Sequence, residues 1–173
     1  MDKKLPVRKN IRLKDYDYSQ NGAYFITICT QDRLKIFGEV FVGAGLVPAR
    51  VKLNNAGKMI ERVYLETMSS FNDVIFNNYA IMPNHFHCII SIQRAETSSA
   101  PTSVNNIVQV FKSKTTVDYI NGVKLGLYPP FNKRLWQRNY YDCIIRNEEE
   151  YRAMWQYIDE NPARWTEDCY YTK

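Results

Sequence analysis

Both histidines of this 173-residue chain lie in the run Met82-Pro-Asn-His-Phe-His-Cys-Ile-Ile90, two positions apart. No other stretch constrains the fold as much. Asn72–Ile81 and His85–Ile92 are rich in β-branched and aromatic residues and read as two strands joined through Pro83-Asn84. Successive side chains of a strand point to opposite faces, so His85, His87, Ile89 and Ser91 share one face. Phe86, Cys88, Ile90 and Ile92 share the other and supply core. The imidazoles are then about 7 Å apart along the strand. Either they converge on one ion, or they hydrogen-bond at a sheet edge. An imidazole pair on one face of an otherwise apolar strand favours the ion. Structural zinc commonly takes four protein ligands including cysteine, and Cys88 faces away. Two nitrogens completed by oxygen ligands, with positions left open, suit a catalytic divalent cation better.

The rest of the chain reads as a mixture of strands and helices without regular βαβ alternation. Ala23–Thr30 and Lys35–Phe41 read as strands. Asn54 or Asn55 caps a helix to about Ser69, with Met59, Ile60, Val63 and Thr67 at helical spacing. Ser103 caps another, ending near Asn121-Gly122, and Leu135–Ile145 is strand-like. A last helix starts at Asn147, with Glu148, Glu149 and Glu150 at the positive end of its dipole, and stops at Pro162. This pattern predicts one α+β domain over 1–173 with a largely antiparallel sheet.

Charge points to a polyanion. The net charge is +5, and Lys3, Lys4, Arg8, Lys9, Arg12 and Lys14 crowd an extended arm over residues 1–20. Lys133, Arg134 and Arg138 are interleaved with Phe131, Trp136, Tyr140 and Tyr141, a mixture suited to phosphate contact and base stacking. Taken singly, each patch reads better as ordinary structure, a solvated arm and a strand with a packed aromatic face. No apolar run is long enough to cross a bilayer, and the N-terminal stretch has charge but no apolar core. Cys29, Cys88, Cys143 and Cys169 form no CxxC pair and read as reduced thiols of a cytoplasmic protein.

In the last helix, Tyr151, Met154, Trp155 and Ile158 form one apolar stripe. Tyr157 lies about 110° from its centre, beside Asn161 one turn on. A phenol attacks a phosphodiester when a metal polarises the phosphate. Tyr-x-x-x-Asn would put a nucleophile next to an oxygen ligand, although a half-buried flanking tyrosine is the plain alternative.

These pieces, taken in order, carry a resemblance. His85-Phe86-His87 looks like the HUH motif, and Pro83-Asn84-His85-Phe86-His87 matches its form in single-tyrosine HUH transposases. Asn147-Glu148 and Tyr157-Ile158-Asp159-Glu160-Asn161-Pro162 resemble the tyrosine helix of the branch associated with repetitive extragenic palindromes (REPs). Ile11–Tyr18, Gly22–Thr27, Phe111-Lys112-Ser113 and Trp136-Gln137-Arg138 are also similar to that branch. The resemblance implies a ferredoxin-like α+β fold with a central antiparallel sheet. It implies that His85, His87 and Asn161 bind Mg²⁺ or Mn²⁺. Tyr157 would attack single-stranded DNA near a REP-like hairpin, leaving a 5′-phosphotyrosine and a free 3′-OH. Arg8, Lys9, Arg12 and Lys14 would grip the DNA, helped by Lys112 and Arg138. Such an enzyme would be cytoplasmic and nucleoid-associated, as a monomer or a homodimer. Cys143 stands where relatives often carry histidine. Two alternatives are a hairpin binder with weak or lost cleavage, and a metal-dependent hydrolase without a covalent intermediate.

One segment is unmatched. Residues 42–50, within Phe41-Val-Gly-Ala-Gly-Leu-Val-Pro-Ala-Arg50, are bland and read as a loop insertion. Gly43-Ala44-Gly45 and Pro48-Ala49-Arg50 admit codons that are reverse complements. The segment is either an ordinary small-residue loop or a translated palindromic repeat lodged at a tolerant turn. The codons of the gene separate the two.

Overall fold

The computed structural model describes residues 16–41, 49–93 and 102–172. Six strands and three α-helices appear among them, in the order β1 (Gly22–Cys29), β2 (Gly38–Phe41), β3 (Arg50–Leu53), α1 (Asn55–Met68), β4 (Val74–Met82), β5 (His85–Ile92), α2 (Val104–Lys124), β6 (Tyr141–Ile145) and α3 (Glu148–Glu160). Four strands form an antiparallel sheet in the order β4-β5-β1-β6. Setting aside the β2–β3 ribbon, the chain runs β1-α1-β4-β5-α2-β6, the split βαβ pattern of a ferredoxin-like α+β fold. Because β5 lies between β4 and β1, the histidines are on an interior strand. The sheet-edge reading of that pair is therefore excluded.

Alternation along β5 sorts the two sides of the sheet. Phe86, Cys88, Ile90 and Ile92 join Ile60, Tyr64, Ile107 and Phe111 of α1 and α2 in the main core. Ile89 points the other way and packs with Ile145 and Ile158 in a smaller cluster beneath α3. Helices thus cover both faces, and the histidines lie on the α3 side.

Local chemistry sets the helix starts. The Asn54 side chain accepts the Gly57 N–H at 2.9 Å and caps α1. Gly57 has no substitute there, since a Cβ would come 2.1 Å from the Phe37 carbonyl oxygen. Asn147 accepts the Glu150 N–H at 2.8 Å, and the Glu150 carboxylate reaches back to the Arg146 N–H at 2.8 Å. The start of α3 is thereby fixed. Asn78 on β4 donates to Asp159 at 2.9 Å and ties the far end of α3 to the sheet.

Three expectations change. The strand expected over Lys35–Phe41 is shorter, Gly38–Phe41, and it pairs with Arg50–Leu53. Arg50, placed in the insertion, is thus the first residue of β3, opposite Phe41. Residues 42–48 of that segment, and the basic arm through residue 15, lie outside the described residues. Leu135–Tyr140 is not strand apart from a single bridge between Thr30 and Trp136, and only Tyr141–Ile145 joins the sheet.

Candidate functional site

The site forms where β5, β1, α3 and the chain after α3 meet. His85 and His87 are fully buried, with ring centroids 4.4 Å apart. Each ring is held through Nδ1. His85 Nδ1 lies 2.8 Å from Asn84 Oδ1, and His87 Nδ1 lies 2.8 Å from Thr27 Oγ1, across the ladder on β1. Asn84 uses its amide N–H groups on the Tyr170 and Arg33 carbonyls, so its oxygen faces His85 and accepts the Nδ1–H. That tautomer leaves Nε2 of His85 as a lone pair.

Three buried ligand atoms then lack any hydrogen-bond partner: Nε2 of His85, Nε2 of His87 and Oδ1 of Asn161. Buried polar atoms are almost always satisfied, and their clustering here needs an explanation. Asn161 is the C-cap of α3, buried, with its Nδ2 donating to Asp168 Oδ2 at 2.5 Å. Asp168 also accepts the Tyr157 hydroxyl at 3.2 Å, and its Oδ2 lies 3.9 Å from His85 Nε2. One ligand atom each from His85, His87 and Asp168 fall within 4.8 Å of one another. A set of two imidazoles, an amide oxygen and a carboxylate fits a hard or borderline divalent cation.

Tyr157 lies at the rim. Its ring packs edge-on against His87 at 5.3 Å and Phe25 at 5.8 Å, and its residue is 38% exposed. It also lines a cleft of about 470 Å³ with Gln156, Asn161, Arg164 and Asp168. Burial, and then the charge of Asp168, push its phenol well above the ordinary range. The four residues expected from sequence to act together, His85, His87, Tyr157 and Asn161, are thus brought to one place.

Residues 49–161, more than half of the chain, match the family described as Transposase IS200 like, of the Y1 type. The chain belongs to the IS200-like transposase family. It is accordingly a DNA-cleaving enzyme of the tyrosine transposase class. This IS200-like transposase is 32% identical to an uncharacterized protein of Haemophilus influenzae, over 95% of this chain and 93% of that one. Two solved structures share its fold. One is a REP-associated tyrosine transposase bound to a REP hairpin, with a TM-score of 0.58 and 17% identity over 89% of this chain and 74% of that one. The other is a protein of Deinococcus radiodurans assigned as a transposase, with a TM-score of 0.50 and 16% identity over 87% and 96%. No described helix is long and apolar enough to cross a membrane.

The remaining expected residues lie elsewhere. Lys112, on α2, donates to the backbone carbonyls of Gln137 at 2.6 Å and Arg138 at 3.0 Å. Burial pushes its ammonium down to about 8. Its donors therefore hold the 133–138 segment, while the Arg138 side chain is exposed beside it. Lys112 and Arg138 line a separate cleft of about 300 Å³ with Lys133, Arg134, Phe131 and Trp136. Arg8, Lys9, Arg12 and Lys14 lie outside the described residues. Sequence reasoning missed Asp168 altogether. It follows a short 3₁₀ turn, Trp165–Glu167, and no periodicity or motif spacing marks it.

The histidines carry a pH signature. Burial lowers His85 to about 4, against an opposing pull from Asp168, and lowers His87 well below its usual value. Both are neutral when folded, whereas an unfolded histidine protonates below about pH 6.5. Below that pH the unfolded state binds more protons. Stability of the metal-free protein therefore falls as pH drops from about 6.5 to about 4. Each histidine contributes about 1.4 kcal/mol per pH unit, and neither contributes above pH 6.5. Thermal melts in EDTA across this window read the slope, and His87→Gln should flatten it.

Proposed function

We propose that the chain is a divalent-metal-dependent endonuclease and strand transferase acting on single-stranded, hairpin-bearing DNA, with Tyr157 as nucleophile. The observation that carries this reading is the convergence of three unpartnered buried ligand atoms, on His85, His87 and Asn161, beside a tyrosine hydroxyl. His85, His87 and Asn161 would hold the cation, Mg²⁺ or Mn²⁺. When bound, it would polarise the scissile phosphate and offset negative charge developing in the site.

The residues of the chain do the rest. Thr27 and Asn84 aim the imidazoles, so no reorganisation is needed to present both Nε2 atoms. Phe25 and His87 pack the Tyr157 ring at the mouth of an open cleft, where a single strand has access. The Tyr157 oxygen attacks phosphorus, the bond to the 3′-oxygen breaks, and the 5′-phosphate remains on the tyrosine. Asp168 Oδ2, already hydrogen-bonded to the phenol, is the acceptor at hand for its proton. A duplex is a poor substrate for a site that needs the phosphate of an unpaired strand, and a hairpin supplies a recognisable stem beside one. The related fold bound to a REP hairpin supports this choice of substrate. The basic arm (Arg8, Lys9, Arg12, Lys14), with Arg138, would contact phosphates.

The test is incubation with hairpin-bearing single-stranded DNA from the flanks of the gene, with Mn²⁺ or Mg²⁺. Denaturing electrophoresis should show a covalent adduct and a free 3′-OH product. Strong hairpin binding with no cleavage under either ion would overturn the reading.

A further inference from the structure

We infer that Asp168 is a fourth protein ligand of the divalent cation, so that the segment after α3 completes the metal centre. This rests on the metal-dependent reading above. The resemblance and the motif spacing supply two histidines and an amide, which are three uncharged ligands. The charge comes from outside the motif.

Four observations carry it. First, the Asp168 side chain is 1% exposed, yet among the described residues no lysine or arginine lies within 4 Å of it. Its neighbours are the Asn161 amide, the Tyr157 hydroxyl, the Tyr170 N–H and the His85 imidazole. A carboxylate buried without a counter-charge is costly, and a bound cation removes that cost. Second, its Oδ2 faces the unpartnered nitrogen of His85 at 3.9 Å. Ligand–cation distances of about 2.0–2.1 Å put neighbouring donors roughly 3–4 Å apart. Third, the Asp168–Asn161 hydrogen bond fixes which way the amide points. A carboxylate only accepts, so Nδ2 must face Asp168 and Oδ1 is left unpartnered.

Fourth, the segment is anchored to the metal-binding strand. The Asn84 residue that holds His85 through Oδ1 also donates through Nδ2 to the Tyr170 carbonyl at 2.8 Å. Arg33 donates to the Cys169 carbonyl at 2.8 Å, and the Tyr170 ring lies 4.9 Å from that of His85. The chain is therefore held at the two residues that follow the carboxylate.

The experiment measures Mn²⁺ binding to the full chain without DNA, by electron paramagnetic resonance of free Mn²⁺ and by thermal shift. Asp168→Asn keeps the side-chain volume and an acceptor for Asn161, and removes the charge together with one of the two acceptor oxygens, the one that takes the Tyr170 N–H. The expected result is a Kd for Mn²⁺ raised more than about 100-fold, beyond the range of outer-shell effects. A Kd raised by less than about 100-fold would assign Asp168 to holding Tyr157 and Asn161 alone and overturn the inference. His85→Ala separates the two readings. If it loses Mn²⁺ while Asp168→Asn keeps it, only this inference fails. If wild type binds no divalent ion, the metal-dependent reading fails and this one with it.

Discussion

Tyr157→Phe should abolish the covalent protein–DNA adduct while leaving fold and Mn²⁺ affinity in place. The phenol oxygen is the only atom removed, and it is the atom proposed to form the bond to phosphorus. Loss of a nucleophile in enzymes of this kind of chemistry lowers turnover by at least about 10⁴-fold, so the adduct band should fall below detection. The ring contacts with His87 and Phe25 survive in phenylalanine. One hydrogen bond to Asp168 is lost at a site that is 38% exposed, a cost of about 1 kcal/mol or less. The melting temperature should therefore change little, and hairpin binding should persist. The measurement is adduct yield against Mn²⁺-induced thermal shift for the two proteins side by side. Turnover without adduct in the wild type, surviving in Tyr157→Phe, would instead favour a water-using hydrolase.

Why was this tyrosine legible in the sequence and Asp168 not? Tyr157 departs from a helical pattern whose centre is occupied by Ile158, buried against Ile89 and Ile145. An aromatic off the stripe and one turn before an asparagine is a local signal. Periodicity has limits even here, because Trp155, counted in the stripe, is 36% exposed. β5 was legible for the same local reason: alternation is set by strand geometry, and both its faces are fully used. Asp168 depends on contacts with Arg33, 136 residues from Cys169, and with Asn84, 86 residues from Tyr170. No short window contains them. Leu135–Tyr140 misled for a related reason. Its carbonyls at Gln137 and Arg138 are satisfied by the Lys112 ammonium, a partner from α2, and not by a strand ladder. Arg50–Leu53 is only four residues and followed a bland run, so its pairing with Gly38–Phe41 became visible only in the fold.

His85→Ala and His87→Ala should each remove both the Mn²⁺-dependent stabilisation and the adduct. A cation at about 100 times its Kd stabilises the native state by about 2.7 kcal/mol, and a site deprived of one of its two nitrogens should lose nearly all of that. The cost in the absence of metal is a separate quantity. His87 is packed against Phe25 at 5.2 Å and bonded to Thr27, itself buried, so its removal leaves a cavity and an unpaired hydroxyl. That costs about 2–4 kcal/mol. His85 is equally buried, beside Tyr170 and Trp165, so its removal leaves a cavity and an unpaired Asn84 Oδ1, at a cost of the same order. Comparison of melts in EDTA and in Mn²⁺ isolates the metal term from the packing term. Each removal also takes away one group that is neutral when folded and charged when unfolded at mild acidity. The variants should thus lose stability less steeply than wild type as pH falls below about 6.5, even where they start lower. Adduct formation at the wild-type rate by either variant, with the Mn²⁺ shift intact, would detach the histidines from the chemistry and leave their buried, unpartnered nitrogens without a cause.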